Sequence, residues 1–335
     1  MGSQTIDAAP DLTVPQRSGG AAETVASKPS YSLAILVPCY NEAITIGQVV
    51  QDFKSALPIA KVYVYDNNSA DRTREVASAA GAIVRSEPRQ GKGNVVRRMF
   101  ADIEADIYVL VDGDATYDPN SAPEMIRLLV TEGLDMVVGC RRDKAKGAYR
   151  QGHRLGNAIL TAFLAWMFGR AFTDTLSGFR VFSRRFVKTF PSLSSGFEIE
   201  TEINVHALAL QMPVGEVLTR YDERPPGSSS KLSTYRDGLR ILGLMFNLFR
   251  QEKPGQLFSS LSAALGLIAF VLFIPLAITF AHTHLVPRFP TAILCTGLII
   301  LAMLSMACGL ILDTVTRGRR ELRRLAYLSL AGPLA

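Results

Sequence analysis

Apolar and polar positions alternate in short blocks along the first two-thirds of the chain. Residues 33–37, 61–65, 82–85, 108–111 and 136–140 are strand-length runs rich in Val, Ile, Leu and Tyr. Between them, 41–53, 71–80, the stretch ending at Phe100, and 124–131 carry apolar residues at helical spacing. Strand and helix alternate with no internal repeat, which predicts an α/β domain: a mostly parallel sheet with helices on both faces.

The pattern changes near residue 235. Residues 236–250 combine a narrow polar stripe (Arg236, Arg240, Gly243, Asn247, Arg250) with an otherwise apolar surface, as in a helix lying in a membrane interface. Residues 153–168 are similar, with His153, Asn157 and Thr161 on one side and Phe163, Trp166, Met167 and Phe168 elsewhere; for both segments core packing is the competing reading. Residues 257–280 and 289–312 contain no Asp, Glu, Lys or Arg, and each run is long enough to span a bilayer. The linker between them carries only Arg288, whereas Arg317, Arg319, Arg320, Arg323 and Arg324 follow the second run. The positive-inside rule therefore puts both ends of this hairpin, and the α/β domain, in the cytoplasm. The expected organisation is a disordered tail (1–30), the α/β domain (31–234), an interfacial helix (235–253), a transmembrane hairpin (257–312) and a basic cytoplasmic segment (313–335). Residues 1–30 lack the apolar core of a signal peptide. Residues 321–335 read as another short interfacial helix.

Chemistry gathers where the strand runs end. The run at 108–111 closes on Asp112-Gly113-Asp114. Two carboxylates one residue apart suit a divalent cation that itself holds phosphates, although aspartates also close turns and cap helices. Tyr40, Asn41 and Glu42 follow the first run, Asp66 the second and Lys92 the third, so folding brings all four clusters to the carboxyl edge of the sheet, where open α/β sheets bind ligands. No G-x-G-x-x-G turn follows the first strand, which argues against a dinucleotide-binding dehydrogenase. Lys92, within Gly91-Lys92-Gly93, reaches a phosphate or sits in a solvated turn. The chain has 335 residues and 48% hydrophobic residues, enough for a full core and a second module. Its net charge of +6 fits an anionic membrane face better than nucleic acid, given the hydrophobic hairpin. Cys39 and Cys140 have no metal-like spacing and read as reduced core thiols. His206 reads as a core histidine and His153 as a helix-start residue.

Taken together, Val37-Pro-Cys-Tyr-Asn-Glu42, Tyr65-Asp-Asn-Asn-Ser-Ala-Asp-Arg-Thr73, Gly91-Lys-Gly93, Asp112-Gly-Asp114 and Ser177-Gly-Phe-Arg180 resemble, in order and spacing, family 2 glycosyltransferases of the GT-A fold. Within that family the resemblance is to dolichol-phosphate mannose synthase and bacterial polyprenyl-phosphate glycosyltransferases, and it covers residues 31–235. It implies a metal-dependent, inverting transfer of sugar from a UDP- or GDP-sugar to a polyprenyl phosphate at the cytoplasmic face of a bacterial plasma membrane. Pro38, Tyr40, Glu42, Asp66, Asn68, Lys92, Asp112 and Gly113 would hold the donor. Asp112 and Asp114 would ligate Mg²⁺ or Mn²⁺ as a DXD motif, and Arg141, Arg154, Arg224 and Lys231 would contact the acceptor phosphate. Asp112, Asp114, Arg141 and Arg224 are the catalytic candidates. Asn67 departs from the family, which often has a second aspartate there.

A lipid monophosphate is already ionised near neutral pH and needs no general base. Residues 197–202, with Glu198, Glu200 and Glu202, lie where hydroxyl-acceptor relatives keep theirs, so a polysaccharide or glycolipid synthase is the alternative. Glu198 and Glu202 would share one helix face and Glu200 point elsewhere. A non-catalytic nucleotide-sugar sensor is a third reading. The hairpin leaves room for homo-oligomers and is too small to flip a lipid-linked sugar, a task for a separate flippase or downstream transferase.

Overall fold

The structure, a computed structural model, describes residues 31–142, 151–169, 172–196, 198–222, 224–225 and 234–332, except for the side chains of 142, 151–158 and 234–242. Among these residues, β1 (Leu33–Cys39), β2 (Lys61–Asp66), β3 (Ile83–Ser86), β4 (Ile107–Leu110), β5 (Met136–Arg142), β6 (Arg180–Ser183) and β7 (Val214–Arg220) form one sheet in the order β3-β2-β1-β4-β6-β5-β7. The helices of the same domain are α1 (Ile46–Ala56), α2 (Thr73–Ala79), α3 (Lys92–Asp102), α4 (Ala122–Thr131), α5 (Gln151–Phe168), α6 (Arg184–Thr189) and α7 (Ile199–Ala209).

Strand periodicity divides the core in two. Leu33, Ile35, Val37 and Cys39 of β1, with Ile107 and Val109 of β4, face α1 and α4 and pack with Val49, Val50, Phe53, Met125 and Leu129. The intervening Ala34, Leu36, Tyr108 and Leu110 face the other layer, where α3, α6 and α7 contribute Val96, Met99, Phe186 and Ile203. Each such aliphatic or aromatic burial is worth about 1.5–3 kcal/mol. Cys39 and Cys140 are buried, reduced thiols. His206 is a core histidine, edge-on to Phe186 and Phe190, and its pKa is pushed down to about 3, chiefly by burial and then by Arg323.

The runs read as strands are found, and β6 and β7 are added to them. β6 runs antiparallel to both β4 and β5, with Leu110 opposite Arg180. This reversal matters for the site: an antiparallel strand presents its amino end at the carboxyl edge of its neighbours, so Ser177, Gly178 and Phe179 arrive beside the end of β4. β7 is parallel to β5 and delivers Tyr221 and Arg224 to the same edge.

Three helices complete the described chain: α8 (Thr234–Glu252), α9 (Pro254–Thr283) and α10 (Phe289–Leu328). α9 and α10 are long and apolar enough to cross a membrane, with only 11% and 22% of their most apolar windows buried. They approach closely through small residues: Ser305 Oγ donates to Phe258 O at 3.0 Å, and a Cβ on Gly309 would lie 2.9 Å from Phe258 Cβ. α5 and α8 pack against each other through part of their apolar faces. Leu160, Leu164 and Leu248 are buried between them, while Trp166 and Phe246 stay exposed and the Trp166 ring lies tilted against Phe249 with centroids 5.4 Å apart.

One expectation is corrected. Residues 321–328 are not another short helix but the last turns of α10, which runs unbroken from the apolar stretch. Arg and Leu favour helix as strongly as the apolar residues before them, so the loss of hydrophobicity at Asp313 ends the apolar span without ending the helix. This extension pairs with the end of α8, Arg320 with Glu252 at 3.0 Å, and docks on the α/β domain at the edge opposite the carboxyl ends, where Arg324 donates to Leu210 O and Tyr327 donates to the fully buried Asp135 at 2.7 Å. Asp135 also accepts from Ser183 Oγ and from Arg185, whose guanidinium lies 4.1 Å from the Tyr327 ring centre. Tyr327→Phe should therefore lower stability by about 1.5–3 kcal/mol, the worth of a hydrogen bond to a buried charge, seen as a lower melting temperature in detergent.

Candidate active site

A cavity of about 290 Å³ opens at the carboxyl edge, lined by Pro38, Cys39, Tyr40, Glu42, Asn67, Gln90, Gly91, Lys92, Val95, Asp112, Gly113, Asp114 and Arg224. Seven of the nine residues read as donor-binding or metal-ligating from the resemblance (Pro38, Tyr40, Glu42, Lys92, Asp112, Gly113 and Asp114) converge here, together with Arg224, whereas Asp66 and Asn68 do not line the cavity. Asp66 lies buried at the end of β2, where Oδ2 accepts from the Ser69 backbone at 3.3 Å and Oδ1 has no hydrogen-bond partner among the described residues. Asn68, in the left-handed region at φ 62°, donates to Pro88 O and does not line the cavity.

Asp112 and Asp114 stand directly beyond β4 and are held in different ways. Asp114 is buried, accepts from Thr116 Oγ1 at 2.6 Å and pairs with Arg224 at 2.6 Å. Its carboxyl is nevertheless pushed above the usual carboxylate range: burial is the largest cause, the charge of Asp112 adds to it, and Thr116 and Arg224 offset only part. Asp112 is more exposed and accepts from Lys92 Nζ at 2.5 Å. The chain passes beside it only because residue 178 is glycine, since a Cβ there would fall 2.3 Å from Asp112 Oδ2. Tyr117 accepts from the Gly178 backbone at 2.8 Å and holds that approach.

Lys92 is not in a solvated turn. Its side chain is 9% exposed and bridges Asp112 Oδ1 and Glu200 Oε1, the latter at 2.6 Å. Burial alone would lower its pKa, but the two carboxylates together outweigh burial and raise it, so the amine is an ammonium. Lys92 begins α3, and its flanking glycines let the segment ahead of α7 close in: a Cβ at Gly91 or Gly93 would sit 2.1 Å from Ser195 O or 2.2 Å from Ser194 O. Asn67 fixes the same turn. Its Oδ1 accepts from Gly91 N at 2.7 Å while Nδ2 donates to Glu87 O and Arg89 O at 2.9 and 2.8 Å. An aspartate could not make those two donations, which accounts physically for asparagine here.

The acceptor-side cations separate. Arg224 lines the cavity, but Arg141 does not; it makes a two-pronged pair with Asp174 at 2.6 and 2.8 Å, and its guanidinium lies 5.3 Å from the Tyr221 ring centre. The side chain of Arg154, on α5, and all of Lys231 lie outside the described residues, as do Lys144, Arg150 and residues 1–30. Of the glutamates at 198–202, Glu200 reaches the site, whereas Glu202 accepts from the backbones of Leu193 and Ser194. Sequence reasoning missed Asp174, Tyr117 and Asn204. It also left unread Arg180 of the Ser177-Gly-Phe-Arg180 motif, which is fully buried and donates to Ser177 O, Thr175 O and Asn204 Oδ1.

Among the described residues no group of three or more His, Cys, Asp and Glu could by itself hold a metal ion. What the cavity offers is two carboxylates one residue apart. This suits a hard divalent ion that takes the rest of its shell from phosphate and water.

The Glycosyl transferase family 2 profile matches residues 34–190. Glycosyltransferase AglJ of Haloferax volcanii is 38% identical over 251 residues, covering 72% of this chain and 81% of that protein. A dolichyl-phosphate hexose transferase of the same organism is 26% identical over 62% of this chain and 90% of its own length. Among solved structures, the Mycobacterium tuberculosis glucosyl-3-phosphoglycerate synthase, captured with Mn²⁺, UDP-glucose and phosphoglyceric acid, has a TM-score of 0.52 at 23% identity, covering 65% of this chain and 79% of that one. Residues 31–222 thus form a GT-A-like domain. With the profile spanning β1 to α6 and a glycosyltransferase relative matched over four-fifths of its length, the chain belongs to glycosyl transferase family 2.

Proposed function

We propose that this chain is an inverting glycosyltransferase that moves a sugar from a UDP- or GDP-sugar to a polyprenyl phosphate, at the cytoplasmic face of a membrane crossed by α9 and α10. The observation that carries the acceptor is the engagement of Glu200. In the segment where a hydroxyl-acceptor enzyme would keep its general base, Glu200 is bound to the Lys92 ammonium at 2.6 Å. A phosphate acceptor needs no base, because its oxygen is already ionised. The apolar helices and the dolichyl-phosphate hexose transferase among the relatives support a lipid-borne acceptor.

In this reading Pro38, Tyr40, Glu42 and Asn67 surround the nucleoside, and Asp112 and Asp114 hold Mg²⁺ or Mn²⁺. The ion, when bound, would offset the negative charge that develops on the departing nucleoside diphosphate. An acceptor phosphate oxygen attacks the anomeric carbon as its bond to the diphosphate breaks, configuration inverts, and no proton is transferred. Arg224 places the phosphate for in-line attack, and the resemblance assigns Arg154 and Lys231 to the same task. Asp174 fixes Arg141 in place at the rim. The Arg317–Arg324 cluster sets the orientation, since both ends of the hairpin then face the cytoplasm.

The test is transfer of radiolabel from a panel of UDP- and GDP-sugars to undecaprenyl phosphate in detergent with Mg²⁺ or Mn²⁺. Acid-labile label in the organic phase with one donor supports the proposal and names the sugar. A glycosidic polymer or glycolipid, with no label on lipid phosphate, replaces it with the hydroxyl-acceptor synthase.

A further inference from the structure

We propose that Lys92, held by Glu200, is a built-in counter-cation of the Asp112–Asp114 pair, displaced only when a divalent ion and a nucleoside diphosphate arrive together. The chain then binds the ion tightly only in the company of the nucleotide. This rests on the reading above that the cavity takes a nucleotide-sugar and a metal ion.

The oxygens a divalent ion would use are already occupied by cations. Asp112 Oδ1 accepts from Lys92 at 2.5 Å and Asp114 Oδ2 from Arg224 at 2.6 Å. Charge decides what can be added. Asp112 and Asp114 each hold a cation, Lys92 and Arg224, and Glu200 holds Lys92 from its other side. A divalent ion alone would set itself against those two cations at short range, where Coulomb terms are large. A nucleotide-sugar, with two ionised phosphoryl groups, offsets that repulsion.

It also gives the displaced ammonium somewhere to go. Taking Asp112 away from a lysine 9% exposed would leave part of its charge unpaired, and phosphoryl oxygens are the partners a nucleotide supplies. The shift falls on the side chain alone, because the backbone of Lys92 is clamped: Gly91 N donates to Asn67 Oδ1 at 2.7 Å and Gly93 N to Gly196 O at 3.2 Å. The chain's shortage of metal ligands points the same way, since two carboxylates leave most of an ion's shell to the diphosphate and water. Glu200 is then a positioning residue: it keeps Lys92 beside Asp112 without being a ligand or a base. By linkage, the ion raises nucleotide affinity by the same factor that the nucleotide raises the ion's.

The test measures Mn²⁺ binding to the detergent-solubilised full chain from the paramagnetic resonance signal of the free aquo ion, first alone, then with UDP or GDP. The wild type should bind Mn²⁺ at least about tenfold more tightly with its nucleotide than without. Lys92→Met should tighten Mn²⁺ binding in the absence of nucleotide, weaken nucleotide binding and shrink the coupling. Glu200→Gln, which leaves Lys92 wholly to Asp112, should weaken nucleotide-free Mn²⁺ binding. Lys92→Gln repeats the first measurement without leaving Glu200 lacking a hydrogen-bond donor. Opposite signs for the lysine and glutamate variants support the proposal. The same sign for both, as general loosening would give, overturns it while the reading of the site stands. Absence of Mn²⁺ binding in every protein, with either nucleotide, overturns both.

Discussion

Asp114→Asn should abolish sugar transfer, by at least about 10²–10³-fold, and yet melt at a higher temperature than the wild type. The loss follows from the chemistry of the side chain: an amide keeps the shape of the carboxylate and its bond to Thr116 but offers neither the charge nor the second anionic oxygen that a divalent ion needs. The gain follows from the cost of that charge. Asp114 is buried beside Asp112, and these two influences hold its carboxyl above the usual range despite Thr116 and Arg224. A carboxyl whose folded pKa lies above its unfolded value makes the folded protein take up more protons across that interval. Its ionisation therefore costs stability, increasingly as pH rises through the interval and in full above it. Asparagine removes the cost. The wild type should thus gain stability as pH falls through the window between the ordinary carboxylate value and the raised one, and the variant should lack that component. Arg224, still partly exposed, loses a partner without becoming a buried orphan. Melting in detergent across pH, beside the transfer assay, checks both halves; retained transfer, or a melting temperature below the wild type, contradicts the account.

The sequence made some of this site legible and hid the rest for identifiable reasons. β1, β2, β4 and β5 announce themselves because strands buried on both faces are continuous apolar runs, and each delivers its polar residues to one edge. β6 is only Arg180-Val-Phe-Ser183, headed by a residue type that is nearly always exposed, so no apolar run marks it. β7, next to β5 at the end of the sheet, interleaves Glu216, Thr219 and Arg220 with Val214 and Val217, so no continuous apolar run marks it. At 198–202 the helical arithmetic is sound: Glu198 and Glu202 share a face and Glu200 does not. Periodicity says which residues stand together and leaves open which face meets Lys92, and it is Glu200 that does. Asp174 carried no motif. Its signal was indirect, the need of a part-buried Arg141 for a fixed partner. Asn67 was visible as a departure, but its two donations to the 87–91 loop depend on a fold in which β2 and β3 are neighbours.

Arg180 carries the largest expected effect on stability. No surface of it is exposed, and its guanidinium donates to Ser177 O at 2.9 Å, Thr175 O at 3.1 Å and Asn204 Oδ1 at 2.5 Å. These partners are neutral, and burial pulls the guanidinium pKa down while the more distant Glu200 and Asp174 offset part of that pull. Arg180→Met fills much of the volume but leaves buried acceptors without their donors. It should cost about 1–3 kcal/mol for each acceptor left unsatisfied, read as the loss in melting temperature. Arg180→Lys keeps the charge but cannot fork toward three acceptors, and should fall between. The loop wrapped on this guanidinium carries Asp174, which fixes Arg141, and Gly178, which passes against Asp112. Loosening it should therefore reduce transfer at temperatures where the variant is still folded, with the donor KM rising as Asp112 loses its fixed neighbour. A methionine variant that melts within about 1 kcal/mol of the wild type and keeps its KM would show that the loop is held by other contacts.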